Sequence, residues 1–64
     1  MTVGTKIENV ENGYQMTIVK VLKISYRVVC HCETEVEGVF KDIQQTHSKN
    51  KAQMYLKTGQ WALV

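Results

Sequence analysis

The 64 residues contain no proline, so nothing in the chain forbids long ladder-forming strands. Its four glycines are dispersed, one to a turn, and none belongs to a glycine-rich phosphate loop. Two cysteines one residue apart do not make a disulfide framework, and a reducing cytoplasm suits them. No apolar run approaches the length of a membrane span, and Met1 is followed by no charged-then-apolar leader. We therefore expect a cytoplasmic protein without a membrane partner. Strong charge of one sign is also missing. Eight Lys and Arg face six Asp and Glu, a net of +2, which permits a polyanionic partner without requiring one. The length allows one domain, 1–64. A domain of this size buries only about 60% of its unfolded surface, so each large apolar residue counts.

What the chain does have is alternation. From Ile24 to Glu37 the even positions read Ile24, Tyr26, Val28, Cys30, Cys32, Thr34 and Val36. The odd positions read Ser25, Arg27, Val29, His31, Glu33, Glu35 and Glu37. Side chains of a strand alternate between faces, so this is one apolar and one charged face, with Val29 the misfit. Fourteen residues at about 3.3 Å each would run roughly 45 Å, too far for a flat strand here, and a bend or break is expected near Thr34. Before it, Thr5–Val10 reads as a first strand, Asn12-Gly13 as a type I′ hairpin turn, and Tyr14–Leu22 as a second strand. The apolar parity of that second strand changes after Ile18, which predicts a bulge near Val19–Lys20. Lys23–Ser25 is a tight connection into the long strand. Glu37-Gly38 marks a bend, Val39–Ile43 a short fourth strand, and polar Gln44–Asn50 an exposed loop. The tail reads two ways. Ser48 caps a helix through Lys51–Lys57 with Gly59 past its end, or Met54–Leu56 and Gln60–Leu63 form strands about a Thr58-Gly59 turn.

The chemistry-bearing residues point away from catalysis. Cys30-His31-Cys32 sets two thiols on one face and the imidazole on the other, with only His47 elsewhere, whereas zinc needs four converging ligands. The thiols read as small core residues, and no metal or other cofactor is expected. Cys30 with His47 as nucleophile and base, or paired carboxylates among Glu33, Glu35 and Glu37, has nothing further in its favour. The three glutamates read as a solvated edge that discourages aggregation. We expect no enzyme and no small-molecule substrate.

Binding is the better-supported class. Lys20, Lys23, Arg27, Lys49 and Lys51, joined by Lys6 or Lys57, would form a nucleic-acid-binding surface if the fold gathers them. Tyr14, Tyr55 or Trp61 beside it would stack on unpaired bases, although core membership is the plainer role for Trp61. Against this, Val29, His31, Glu33, Glu35 and Glu37 lie on the same strand as Arg27. That dipolar face suits a protein partner, whether a host protein or a second copy of the chain.

The segments NGYQMTIVKV, YRVVCHCET and MYLKTGQ together resemble small tailed-phage proteins built on a KOW/Tudor-like barrel. The matching residues are Gly4, Asn9, Gly13, Tyr14, Ile18, Val19, Val28, Cys30, Thr34, Leu56, Gly59 and Trp61. The resemblance implies a bacterial-virus origin and a role in binding DNA or RNA or in modulating a host protein; it brings no catalytic residues. It also favours the all-strand tail. The expectation is thus an all-β, five-stranded, mostly antiparallel barrel-like sheet, with an α+β three-stranded sheet and C-terminal helix, as in integrase-type DNA-binding domains, as the alternative. The expected function is a non-catalytic protein-interaction module, of the kind that modulates or inhibits a host protein; the alternative is a basic-patch nucleic-acid-binding module.

Overall fold

A computed structural model describes residues 1–31, 35–36, 39–40 and 42–64, for 35–36 and 39–40 the backbone only. Five antiparallel strands form one sheet in the order β6-β3-β2-β1-β7. They are β1 (Lys6–Asn9), β2 (Gln15–Val21), β3 (Ser25–His31), β6 (Ile43–Ser48) and β7 (Trp61–Leu63). A two-stranded hairpin, β4 (Glu35–Val36) with β5 (Val39–Phe40), lies in the chain between β3 and β6. The helix α1 (Lys49–Thr58) connects β6 to β7.

The period-two reading holds through β3. Tyr26, Val28 and Cys30 are buried on the inner face, while Arg27 and Val29 are only half-buried on the other. The bend expected near Thr34 lies outside the described residues. The bulge is where the parity change places it: Ile18 pairs with Val28 and Lys20 with Arg27, so Val19 is the extra residue. That extra residue lets Met16 and Ile18 face inward while Lys20 turns outward. The first hairpin is present with a longer loop than expected. Asn9 donates its N–H to Tyr14 C=O at 2.8 Å and accepts from Gly13 N–H at 2.7 Å, closing a four-residue connection. Gly13, at φ +75°, takes the one left-handed position a side chain would resist.

Two expectations are corrected. Polar Gln44–Asn50 is not a loop: Ile43–Ser48 pairs with Cys30–Ser25 as an edge strand. Its polarity is tolerated because an edge strand needs only its backbone groups matched to the neighbour. The second correction concerns closure. The sheet ends at β6 and β7 and is not a closed barrel; Lys49–Thr58 is helical, so the all-strand reading fails for Met54–Leu56 and the helical alternative holds there, while the strand expected at Gln60–Leu63 is present as β7. Local capping decides it. Ser48 Oγ accepts from Lys51 N–H at 3.1 Å, and Gly59, at φ +82°, sends its N–H back to Leu56 C=O. A helix this short is marginal alone and is held by packing. Ala52 is fully buried against the sheet, with Tyr55 and Leu56 beside it, the i, i+3, i+4 stripe of an amphipathic helix. Ile7, Met16, Ile18, Tyr26, Val28, Cys30, Ala52 and Trp61 make the core. No helix among the described residues is long and apolar enough to cross a membrane.

Candidate functional site

The β2–β3 turn, the end of β6 and the start of α1 meet at one end of the sheet. Leu22 N–H bonds Ser25 C=O at 2.8 Å, making Lys23-Ile24 a two-residue loop, and Lys49 N–H bonds Ile24 C=O at 2.9 Å. Lys20 stands opposite Arg27 on the outer face. Lys49 places its ammonium 5.6 Å from the centre of the Tyr26 ring, and Lys51 lies in the first helical turn. The five predicted cations are therefore gathered, but around an end rather than on one face. Lys6 is opposite Thr17, nearer the middle of the sheet, and Lys57 is in the last turn of α1, away from the group. The acids with described side chains lie elsewhere: Glu8 opposite Gln15, Glu11 in the β1–β2 loop, and Asp42 before β6. Among the described residues no element packs over the outer face adjoining the basic end, since α1 lies on the inner one. The outer face carries Thr17, Ser25, Gln44, Thr46 and Ser48 among Lys6, Lys20 and Arg27, with Glu8 on the same face toward the far end.

Of the residues expected to meet a protein partner, Val29 and His31 are on this outer face, opposite Thr17 and Gln15. Glu35 lies in β4 opposite Phe40, and Glu33 and Glu37 are outside the described residues. His31 has partners that strand parity could not name. Its Nε2 is 3.1 Å from Thr17 Oγ1 and its Nδ1 is 3.2 Å from Asp42 Oδ1. Hydroxyl, imidazole and carboxylate stand in the order that nucleophile activation uses. Here the His31 and Asp42 side chains are 47% and 60% exposed on an open sheet face, where water screens the pair. The chain of contacts ties β2 and β3 to the start of β6.

The aromatic residues do not join the basic end. Tyr14, Tyr55 and Trp61 converge instead on a half-open cleft of about 450 Å³ at the other end of the inner face. Met16 and Cys30 lie beneath it, and Gln45 and His47 come from β6. Trp61 meets Tyr55 with ring centres 4.9 Å apart and His47 edge-on at 5.0 Å. Burial, reinforced by the nearby Lys51 ammonium, holds the His47 pKa below its ordinary 6.5. Its Nε2 is 3.0 Å from Gln45 Oε1. The weighed thiol–imidazole pair, Cys30 and His47, therefore shares this cleft, with the imidazole already engaged. Three or more His, Cys, Asp or Glu positioned to hold a metal ion are not found among the described residues. Comparisons with protein-family models, curated proteins and solved structures find no significant match to the chain.

Proposed function

We propose that the chain is a non-catalytic nucleic-acid-binding module whose basic end and adjoining sheet face engage the phosphate backbone. The carrying observation is the clustering of Lys20, Lys23, Arg27, Lys49 and Lys51 where the described acids are absent. Two of these cations sit at a cost. The N-terminus of a helix is the positive end of its dipole, and a cation in the first turn loses about 0.3–1 kcal/mol. α1 has no acid there, and has Lys49 and Lys51 instead. A helix tuned for its own stability would reverse that choice, whereas a polyanion site gains from both the dipole and the charges. The hydroxyls and amides of the outer face are the groups that position phosphate oxygens without reading bases.

Filter binding to duplex and single-stranded DNA and RNA tests this. Neutralising about four phosphates gives a log K against log salt slope near −3.6 on duplex DNA. Lys20→Glu with Arg27→Glu should flatten it. No retention at about 50 mM salt sinks the reading.

A second reading, a protein-interaction module, is favoured by β6. Its six residues, Ile43–Ser48, carry no Asp, Glu, Lys or Arg, and its outer edge pairs with no strand among the described residues. Charge, proline and bulges are the usual protections of an edge, and an edge without them can accept an added strand from a host protein or a second copy. Sedimentation and capture from bacterial lysate, each repeated with Thr46→Lys, separate this from the first reading. A monomer that captures nothing specific, or capture indifferent to Thr46→Lys, argues against it.

A further inference from the structure

The aromatic cleft opens away from the β2–β3 turn, although Lys51 stands near its His47, and its chemistry differs. Among its described lining residues Glu11 is the one carboxylate, there is no Lys or Arg, and burial lowers the His47 pKa. The Glu11 carboxylate disfavours an anionic group beside it. The hydrogen-bonding groups are also selected. Asn9 Oδ1 accepts from Glu11 N–H at 3.1 Å, Asn12 Oδ1 from Tyr14 N–H at 2.9 Å, and Gln45 Oε1 pairs with His47 Nε2. With those three amide oxygens engaged, the NH₂ groups carry the remaining hydrogen-bonding capacity of these side chains, which is to donate. Glu11 supplies an acceptor. Rings supply flat apolar contact, and about 450 Å³ falls within the range of small-molecule sites.

We propose that this cleft binds a nucleobase: a flat, uncharged heterocycle with ring carbonyls for the amide donors and a ring N–H for the carboxylate. Keto bases, uracil and guanine, match this arrangement better than adenine, which has no carbonyl. The source is either a free nucleoside or an unpaired base in a strand. The inference stands apart from the phosphate-binding reading, because a nucleoside carries no phosphate.

Trp61 is the sole tryptophan, so its fluorescence and its indole N–H resonance report on the cleft directly. The full chain is titrated with uridine, guanosine and adenosine, with the 5′-monophosphates, and with single-stranded and duplex oligonucleotides. Saturable Trp61 changes with uridine or guanosine, weaker with adenosine, are expected. The monophosphates should bind more weakly than the nucleosides, and Glu11→Gln should narrow that gap. Tyr14→Ala removes an exposed ring from outside the core and should weaken nucleoside binding roughly tenfold, within the range for one stacking contact. A single strand that changes Trp61 where a duplex does not identifies an unpaired base as a source; a nucleoside response without it identifies the free compound. No Trp61 response to any nucleoside at about 5 mM overturns the proposal, that concentration reaching ligands of only millimolar affinity. A response unchanged by both Tyr14→Ala and Glu11→Gln overturns it too. Duplex binding that persists when nucleosides fail leaves the phosphate reading intact and removes only this one.

Discussion

Lys51 is the residue at which stability and the proposed function oppose each other. It is the third residue of α1, its N–H already bonded to Ser48 Oγ, and its charge lies at the positive end of the dipole. Lys51→Glu would complete a reciprocal cap with Ser48 and reverse that charge. The protein should gain about 0.5–1 kcal/mol, a rise in Tm of several degrees for a domain of this size, and lose nucleic-acid affinity. A thermal melt beside filter binding measures both, and a variant that binds unchanged removes Lys51 from the interface. His47 gives a second test at this scale. Its folded-state pKa lies below 6.5, through burial first and Lys51 second, so the unfolded chain takes up the proton first as pH falls. Stability is therefore full above 6.5 and declines as pH drops through that value toward the folded pKa. His47→Gln should flatten this part of the stability profile in urea titrations at a series of pH values. A profile unaltered by the substitution would show that His47 does not drive it.

At the scale of elements, the local signals were legible and the long-range ones were not. The parity change in the second strand placed the bulge at Val19 because alternation alone records which face each residue takes. Ser48 and Gly59 likewise marked both ends of the helix, since capping chemistry is confined to a few residues. The all-strand tail came from pattern resemblance set above those caps, and the caps prevailed. β6 was hidden for another reason. A polar edge strand has no buried face to impose alternation, so its strand character comes only from the open backbone groups of β3. The cleft was also illegible, being assembled from a loop, all five strands of the sheet, the helix and the turn after it. Gly59→Ala tests the capping argument: at φ +82° a side chain should cost about 1 kcal/mol, seen as a Tm lower by roughly 4–8 °C. An unchanged Tm would mean that packing, not the cap, ends α1.

The whole molecule is polarised. Five of its seven described cations gather around the β2–β3 turn, and Glu11 and Asp42 lie toward the opposite end, so a polyanion should be oriented before contact. Association should slow more steeply with salt than dissociation quickens, which stopped-flow measurements at two ionic strengths would show; equal sensitivity of both rates would argue against steering. One further property follows from the place of β7. It joins the sheet against β1, pairing Ile7 with Leu63, and Val64 N–H reaches Lys6 C=O at 3.2 Å. A nascent chain still short of residue 61 would hold its first strand half-matched and have no indole to fill the core. Assembly therefore has to wait until that segment clears the ribosome, and the polypeptide up to residue 59 should be a substrate for chaperones and proteases rather than a native intermediate.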